Sequence, residues 1–254
     1  MKASVTTTPE AFAARLRHST SAVHTRAEKT TFIRGFLRGT ASPSSYIRLL
    51  AALLPVYRAM EEEIERLAPS DLVLARFHFH ALHRTAAIER DLAVLAGPDW
   101  ASQIPTMDAS DAYVRRIRLI ASAEPVRLIG HLYTRYLGDL SGGQILARIA
   151  ERSLGLAHGA GLDFYDFDEV ADIPAMKTLF RSRLDELDAL PESHRAAVID
   201  EANSAFRHNI AIFDQLHGNA LLSFIRNLPL PWVRAPRFSA PASAEDLVTA
   251  ASAN

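Results

Sequence analysis

The sequence predicts a single all-α domain organised as a helical bundle. Apolar residues recur at spacings of three and four along most of the chain, which is the period of a helix buried on one side. Stretches that alternate between apolar and polar residues are nearly absent, and proline or glycine falls where one helical pattern gives way to the next. We expect the domain to span residues 8–235, with a disordered N-terminus over 1–7 and a flexible C-terminal tail over 236–254.

Composition and charge narrow the classes of function that this chain can have. Hydrophobic residues make up 48% and charged residues 22%, a globular composition able to bury a sizeable core. The net charge of −1 favours neither a nucleic-acid partner nor an anionic membrane surface. Because cysteine is absent, disulfides, thiolate metal sites and cysteine nucleophiles are excluded. Residues 1–20 lack the continuous apolar core of a secretory signal, and no apolar run approaches the roughly 18–20 residues of a membrane span. Since the lack of cysteine also fits a reducing compartment, we expect a soluble cytoplasmic protein.

The first three helices are predicted from their start and stop signals. Thr8 and Pro9 are typical of an N-cap and a first helical position, and Ser42 with Pro43 repeats that pattern for the second helix. Pro55 lies inside the second helix and is expected to kink it. A third helix is predicted from about residue 81 to residue 96, where Gly97 ends it.

The second half of the chain is predicted in the same way. Pro125 is expected to open a helix that ends near Gly155, and residues 156–172 are expected to form a loop rich in glycine, aspartate and aromatic residues. The other predicted helices cover residues 111–122, residues 174–190, and a long stretch that starts at Pro191.

The predicted fifth helix contains the unusual stretch YLGDLSGGQIL, with glycine at positions 138, 142 and 143. Each interior glycine destabilises a helix by about 1 kcal/mol relative to alanine. LSGGQ alone resembles a nucleotide signature, but no glycine in the chain is followed by lysine and no strands are predicted, which argues against a phosphate-binding loop. Two explanations remain open. The glycines allow another helix to pack closely, or they let a flat ligand lie against the backbone with Asp139 beside it.

A histidine on the first predicted helix has a partner one turn away. Arg17, Ser21, His24 and Glu28 are spaced to share one face of that helix. Glu28 could accept a hydrogen bond from the His24 ring, which is the usual support for a metal-ligating histidine. The alternative is an ordinary solvated face.

Four other histidines are candidates for metal ligands, and the sequence supports that role less well for them than for His24. His78, His80 and His83 have HxHxxH spacing, but no carboxylate adjoins them in the sequence, so solvated histidines at a helix entry are favoured over a metal site. His131 is expected to be a hydrogen-bonded core residue.

Several motifs taken in order resemble the haem oxygenase family of the animal and bacterial, biliverdin-forming type. The resemblance covers roughly residues 10–220, and YTRYLGDLSGGQ together with an upstream VHTRAE is its most specific part. It implies an all-α fold in which haem lies between the first helix and a kinked, glycine-rich distal helix. The other matching stretches are YRAMEEEIERL, LHRTAAIERDLAVLAGP, MKTLFRSRLDEL and EANSAFRHNIAIFDQL.

The resemblance also implies roles for individual residues. His24 would ligate the iron of haem b, with Glu28 as its hydrogen-bond partner, and Asp139 would hold a distal water network. Arg17 departs from the family pattern, because animal members usually have lysine there, although the positive charge is retained. The implied close backbone contacts are Gly138, Gly142 and Gly143; the implied propionate contacts are Arg17, Tyr133, Lys177 and Arg181; and the implied distal network and pocket wall are Tyr57, Arg135, Phe206 and Asn209.

The resemblance implies an enzyme that uses O₂ and electrons to cleave haem at the α-meso carbon to biliverdin, Fe²⁺ and carbon monoxide. Haem is then both cofactor and substrate. The electrons would come from an external donor, a ferredoxin or a flavoprotein reductase, because the chain has no flavin or nucleotide motif. A non-enzymatic haem carrier or sensor on the same fold is the alternative, although it would have no need of Asp139 between the glycines.

Overall fold

The computed structural model describes residues 10–40, 42–154 and 160–227. These residues form an all-α fold, as predicted, and contain no β-strand. The predicted N-terminus over 1–7 and tail over 236–254 lie outside the described residues, so those predictions stay open. The helices are α1 Phe12–Glu28, α2 Thr31–Leu37, α3 Pro43–Leu67, α4 Leu72–Ala75, α5 Thr85–Ala96, α6 Trp100–Gln103, α7 Asp108–Ala123, α8 Leu128–Leu132, α9 Gly138–Leu154, α10 Ile173–Asp185 and α11 Glu192–Asn227.

Two helix ends follow the local signals that predicted them. The Ser42 side chain accepts a hydrogen bond from the backbone N–H of Ser45 at 3.2 Å, and Pro43 is the first residue of α3. Gly97 ends α5 with a φ of +86°, a backbone conformation that residues with a Cβ rarely adopt. α3 runs through Pro55 as one continuous helix.

The first helix begins later than predicted. α1 starts at Phe12, after Glu10 and Ala11, whereas Thr8 and Pro9 lie outside the described residues. Its first two N–H groups donate to the carboxylates of Asp188 and Asp185, at 3.2 and 2.9 Å. The cap therefore comes from distant acidic side chains, and a helix N-terminus favours negative charge at this place.

The start of the third predicted helix is also corrected. Residues His80–Leu82 form a 3₁₀ turn, and α5 starts at Thr85 rather than near residue 81. The Glu61 carboxylate of α3 accepts hydrogen bonds from the backbone N–H groups of Arg84 and Thr85, at 2.6 and 3.2 Å. The start of α5, like the start of α1, is therefore fixed by a carboxylate from a distant part of the chain.

The glycine-bearing helix predicted from Pro125 is divided into several parts. Pro125–Arg127 form a 3₁₀ turn that leads into α8, Tyr133–Leu137 form a π-helical turn, and α9 begins at Gly138. π-turns inside helices are rare and occur often at functional sites. The predicted loop over 156–172 contains only a short 3₁₀ turn in its described part, at Asp163–Tyr165. Further on, the predicted sixth helix ends at Asp185 and continues as a 3₁₀ turn, Glu186–Ala189.

The core is built around α3. It packs against α5 and α7, and its buried face includes Tyr46, Val56, Tyr57 and Met60, each with no exposed surface. α1 packs against α2 and α10, and α2 packs against α9. This arrangement brings the N-terminal helices beside the glycine-bearing helix.

A buried polar cluster joins α7, α8 and α11. His131 has no exposed surface, and its ring bonds the Glu201 carboxylate at 3.0 Å and the Tyr113 hydroxyl at 3.2 Å. Arg116 donates to the same carboxylate at 2.9 Å. Although burial opposes the shift, hydrogen bonds from His131 and Arg116 lower the pKa of Glu201 to about 2. The prediction that His131 is a hydrogen-bonded core residue is confirmed.

Among the described residues, no helix is both long enough and apolar enough to cross a membrane. The expected cytoplasmic location stays a prediction.

Candidate functional site

A cavity of about 310 Å³ opens between α1, α2, α3, α9 and α11. Apolar side chains supply most of its wall, and a few polar groups face it from α1, from the π-turn, from α9 and from α11. Such a mostly apolar pocket with few polar groups is typical of a small-molecule site. Its lining residues are His24, Ala27, Glu28, Ile33, Leu37, Leu49, Leu53, Thr134, Arg135, Gly138, Asp139, Gly142, Ile145, Leu146, Phe164, Tyr165, Phe206, Asn209 and Phe213.

Two of the three glycines keep this cavity open. A Cβ atom added at Gly138 or at Gly142 would have no neighbouring heavy atom within 4 Å in the described part of the chain. At Gly143 the added atom would lie 3.5 Å from the ring of Tyr165, which is an ordinary contact. The interpretation that close helix packing requires Gly138 and Gly142 is therefore wrong. Their missing side chains leave room for a ligand beside the backbone.

Gly130 has the packing role that Gly138 and Gly142 lack. A Cβ at Gly130 would lie 2.6 Å from the backbone nitrogen of Ala202 and 2.9 Å from the carbonyl oxygen of Val198. Both atoms belong to α11, so α8 and α11 approach each other closely at this glycine. No local sequence pattern separates this glycine from the others, because only the neighbouring helix reveals the difference.

Four polar side chains form a network at the cavity wall: Arg135, Asp139 and Asn209 line the cavity, and Tyr57 lies behind them. The Tyr57 hydroxyl donates to Oδ2 of Asp139, and Arg135 donates to the Tyr57 oxygen through Nε at 2.9 Å and Nη2 at 2.6 Å. Arg135 also donates to Oδ1 of Asp139 at 3.3 Å and to Oδ1 of Asn209 at 3.2 Å. The Asp139 carboxylate is thus fixed from two sides, by α3 and by the π-turn.

The Asp139 carboxyl is poised between opposing effects. Its side chain is only 11% exposed, and burial raises its pKa above the ordinary value. The Arg135 charge and the Tyr57 hydrogen bond act in the opposite direction and favour the carboxylate. A carboxyl held in this balance beside a cavity is suited to exchanging protons with water.

His24 of α1 lies in the cavity wall beside two neighbouring side chains. Its side chain is 52% exposed, and its Nδ1 atom lies 3.7 Å from Oε1 of Glu28. Its ring meets the ring of Phe206 edge to face, with centroids 5.4 Å apart. Because Nδ1 faces the carboxylate, Nε2 is the ring atom left for a ligand in the cavity.

The structure brings eight of the fourteen predicted site residues to the cavity wall. Tyr57 lies behind the wall and acts on it through Asp139 and Arg135. Tyr133 packs beside Ala27, Phe206 and Ile210, and its hydroxyl lies 3.4 Å from that of Thr20. Neither these two residues nor Gly143 lines the cavity, and the same holds for the cations Arg17, Lys177 and Arg181.

Sequence reasoning missed the apolar half of the wall. Leu49 and Leu53 of α3 belong to the apolar side of the helix predicted from Ser42 and Pro43, and Phe164 and Tyr165 belong to the loop predicted over residues 156–172. Apolar helical positions have the same periodicity whether they face a core or a cavity, so no local signal separates the two cases. Ile33 and Leu37 were missed for another reason, because helix α2 was not predicted.

The three histidines of the HxHxxH stretch lie close together, and they are not all exposed to solvent as the sequence predicted. His80 is 75% exposed, as expected, whereas the side chain of His83 is 13% exposed. Burial, together with the neighbouring His80 and His78, lowers the pKa of His83 to about 4. Carboxylates that are distant in the sequence come near: Oε1 of Glu65 lies 3.5 Å from Nδ1 of His83, and Oε2 of Glu169 lies 3.8 Å from Nδ1 of His80.

Comparison with known protein families gives one consistent result. Residues 10–215 match the family described as "Heme oxygenase". A protein named heme oxygenase 1 from a Nostoc species is 44% identical over 207 residues, which cover 82% of this chain and 86% of the relative. Human heme oxygenase 1 is 41% identical over 209 residues, which cover 82% of this chain and 72% of the human protein.

Solved structures agree with the sequence comparison. Heme oxygenase-1 from the cyanobacterium Synechocystis, solved in complex with heme, superposes with a TM-score of 0.80 at 36% identity, over 85% of this chain and 97% of the other. Heme oxygenase from Leptospira interrogans superposes with a TM-score of 0.76 at 39% identity, over 81% of this chain and 100% of the other.

Proposed function

Because this chain belongs to the haem oxygenase family, we propose that the cavity between α1 and α9 is where it binds haem. The chain is an oxidoreductase that degrades haem to biliverdin. One observation carries the assignment of the cavity. A half-exposed histidine on α1 and two glycines on α9 face the same space, and within the described part of the chain no packing contact explains these glycines otherwise.

We propose that His24 is the iron ligand. Its position in the cavity wall and the Glu28 carboxylate near Nδ1 support this role. A carboxylate at Nδ1 favours the tautomer with the proton on Nδ1 and leaves the lone pair of Nε2 for the metal. Bound haem supplies the iron that activates O₂ and the meso carbon that is oxidised. Phe206 limits rotation of the His24 ring from the side.

The glycines are proposed to let a flat macrocycle approach the α9 backbone. Side chains at positions 138 and 142 would project into the open space, because no atom of another described segment lies within 4 Å of the place that a Cβ would occupy there. A wall made of glycine backbone also presents no acid–base side chain of its own to a ligand in the cavity. Asp139 lies in the same wall, next in the chain to Gly138, and Tyr57 and Arg135 hold it in a fixed place. We propose that Asp139 positions water and passes protons through it.

The propionates are proposed to pair with Arg17, Lys177 and Arg181, near the Tyr133 hydroxyl. Arg17 lies on α1 and the other two cations lie on α10, which packs against α1. None of the three forms an ion pair in the part of the chain that the structure describes, so each is available to an anionic ligand. Pairing at one side of the cavity would fix the rotation of haem in its plane. We propose that this rotation directs cleavage to the α-meso carbon, with release of Fe²⁺ and carbon monoxide.

Electrons are proposed to come from a separate ferredoxin or flavoprotein reductase. The sequence has no flavin or nucleotide motif that would let the chain supply them itself.

One assay tests haem degradation and its main alternative, a haem carrier or sensor. Haemin is added to the purified chain, followed by ascorbate or a reductase, and the Soret absorption is recorded with time. We expect the Soret band to decay as a biliverdin spectrum rises. A Soret band that forms and then stays constant would identify a carrier, and the absence of any Soret shift would exclude haem binding.

A further inference from the structure

A second group of potential ligands lies outside the haem cavity. Glu65 is near the end of α3, and His80 and His83 belong to the turn between α4 and α5. None of these three residues lines the cavity. Each offers one ligand atom, and the three atoms all lie within 4.8 Å of one another.

The separations in this group are close to those of a metal centre. Nδ1 of His83 is 3.5 Å from Oε1 of Glu65, and the His80 and His83 ring centroids are 4.9 Å apart. Metal–nitrogen bonds of about 2.0–2.1 Å require ligand atoms somewhat nearer than 4.8 Å. The Glu65 and His80 side chains are 52% and 75% exposed, so they are free to rotate inward, whereas packing fixes His83.

Two unpaired ring nitrogens belong to the same cluster of histidines, in which the centroid of the His83 ring lies 5.6 Å from that of His78 and 4.9 Å from that of His80. The Nε2 atoms of His78 and His83 are buried and have no hydrogen-bond partner among the described residues. Leaving a buried polar atom unpaired costs about 1–3 kcal/mol. Such atoms in a native structure call for a reason, and a bound ion or water is a common one.

We propose that Glu65, His80 and His83 bind a divalent first-row transition metal, with Glu169 as a candidate fourth ligand. Two imidazoles and one carboxylate are a donor set that both Zn²⁺ and non-haem Fe²⁺ accept. Glu169 qualifies because its Oε2 atom lies 3.8 Å from Nδ1 of His80. Mg²⁺ is not expected to bind, because it prefers oxygen ligands in octahedral geometry. The site would tie the end of α3 to the turn before α5, and its existence does not depend on haem.

The test uses the full chain without a histidine tag and without haem, after treatment with a chelator. Titration calorimetry with Zn²⁺ is expected to show one site per chain, and Co²⁺ is expected to give the visible absorption bands of a low-coordinate complex. Glu65→Gln and His80→Ala are each expected to weaken Zn²⁺ binding about tenfold or more. His18→Ala, an exposed histidine on α1, is the matched control and is expected to bind as wild type does. A separate titration with Fe²⁺ under anaerobic conditions distinguishes the two metals.

Several results would overturn the proposal. One is that the chain does not bind a single Zn²⁺ saturably. Another is that Glu65→Gln and His80→Ala bind Zn²⁺ as tightly as wild type does. A third is that wild type binds Mg²⁺ as tightly as Zn²⁺. Loss of the site in His24→Ala would move it to the haem cavity and would also contradict the proposal. Glu65→Gln and His80→Ala decide the question because both residues are exposed; their circular dichroism spectra are expected to match wild type. His83→Ala would change a mostly buried residue and is not needed.

Discussion

Tyr57 of α3 donates a hydrogen bond to Asp139 of α9, although the two residues are 82 positions apart in the chain. Arg135 donates to both of them, so the three side chains form one closed group at the wall of the cavity. The carboxylate that the proposed mechanism uses is therefore positioned by a helix that contributes no polar group of its own to that wall. Tyr57 is therefore expected to act by positioning Asp139 and not by contacting the ligand, and a variant can test this difference.

Tyr57→Phe is expected to retain haem binding and to lower biliverdin formation about tenfold, because Asp139 loses one of its two anchors. The Tyr57 hydrogen bond lowers the pKa of Asp139, so its removal raises that pKa further. If the carboxylate form is the active one, the acid limb of the pH–rate profile moves to higher pH. Tyr46→Phe changes another buried tyrosine, whose hydroxyl bonds Gly161, and is expected to leave the limb in place. An unshifted limb in Tyr57→Phe would contradict the positioning role.

Asp139→Ala is expected to bind haem but to form little biliverdin, since the one other carboxyl in the cavity wall among the described residues is Glu28 of α1, which is assigned to His24. With hydrogen peroxide, the variant is expected to oxidise phenolic peroxidase substrates faster than wild type does. The measurements are the biliverdin yield per haem and the initial rate of phenol oxidation. A biliverdin yield equal to that of wild type would remove Asp139 from the mechanism.

His24→Ala is expected to lose the absorption spectrum of histidine-ligated haem and to lose turnover. Added imidazole is expected to restore part of both, because the apolar cavity wall remains intact. His18→Ala, on the same helix, serves as the control. A variant whose haem spectrum and activity match those of wild type would show that another group ligates the iron.

Alanine at Gly142 and at Gly130 is expected to have opposite effects. Gly142→Ala places a methyl group in the cavity, so we expect haem affinity to fall about tenfold while stability rises by up to about 1 kcal/mol from helix propensity. Gly130→Ala forces α8 against the α11 backbone and is expected to lower the free energy of unfolding by about 2 kcal/mol. Urea denaturation of the haem-free proteins and haem titration measure the two quantities. The distinction would be wrong if both variants lost stability equally.

Replacing Lys177 and Arg181 together by alanine is expected to loosen haem orientation and to add β or δ biliverdin without abolishing turnover. Each exposed ion pair contributes only about 0–1 kcal/mol, so single variants are expected to change little. Arg58→Ala combined with Arg118→Ala removes two exposed cations that pair with glutamates elsewhere, and serves as the control. Chromatography separates the biliverdin isomers. A wild-type product dominated by β or δ biliverdin would contradict the orientation argument.

Short-range chemistry accounts for the features that could be predicted from the amino-acid sequence. The all-α class follows from apolar periodicity. Ser42 with Pro43 predicts where α3 begins, and Gly97 predicts where α5 ends. The pairing of His24 with Glu28 and the run of glycines around Asp139 are also local, because i,i+4 spacing places side chains on one helix face whatever surrounds it.

Features that join distant parts of the chain depend instead on tertiary packing. Asp185 and Asp188 fix the start of α1, and Glu61 fixes the start of α5, through carboxylates that no local pattern reveals. Packing also gives the two glycines different surroundings, since Gly130 lies against the α11 backbone and Gly142 borders the cavity. It likewise places Glu65 beside His83. The cause is the same in each case. The spacing of residues along the chain determines which side chains share a helix face. The packing of the helices determines which atoms from other parts of the chain contact that face.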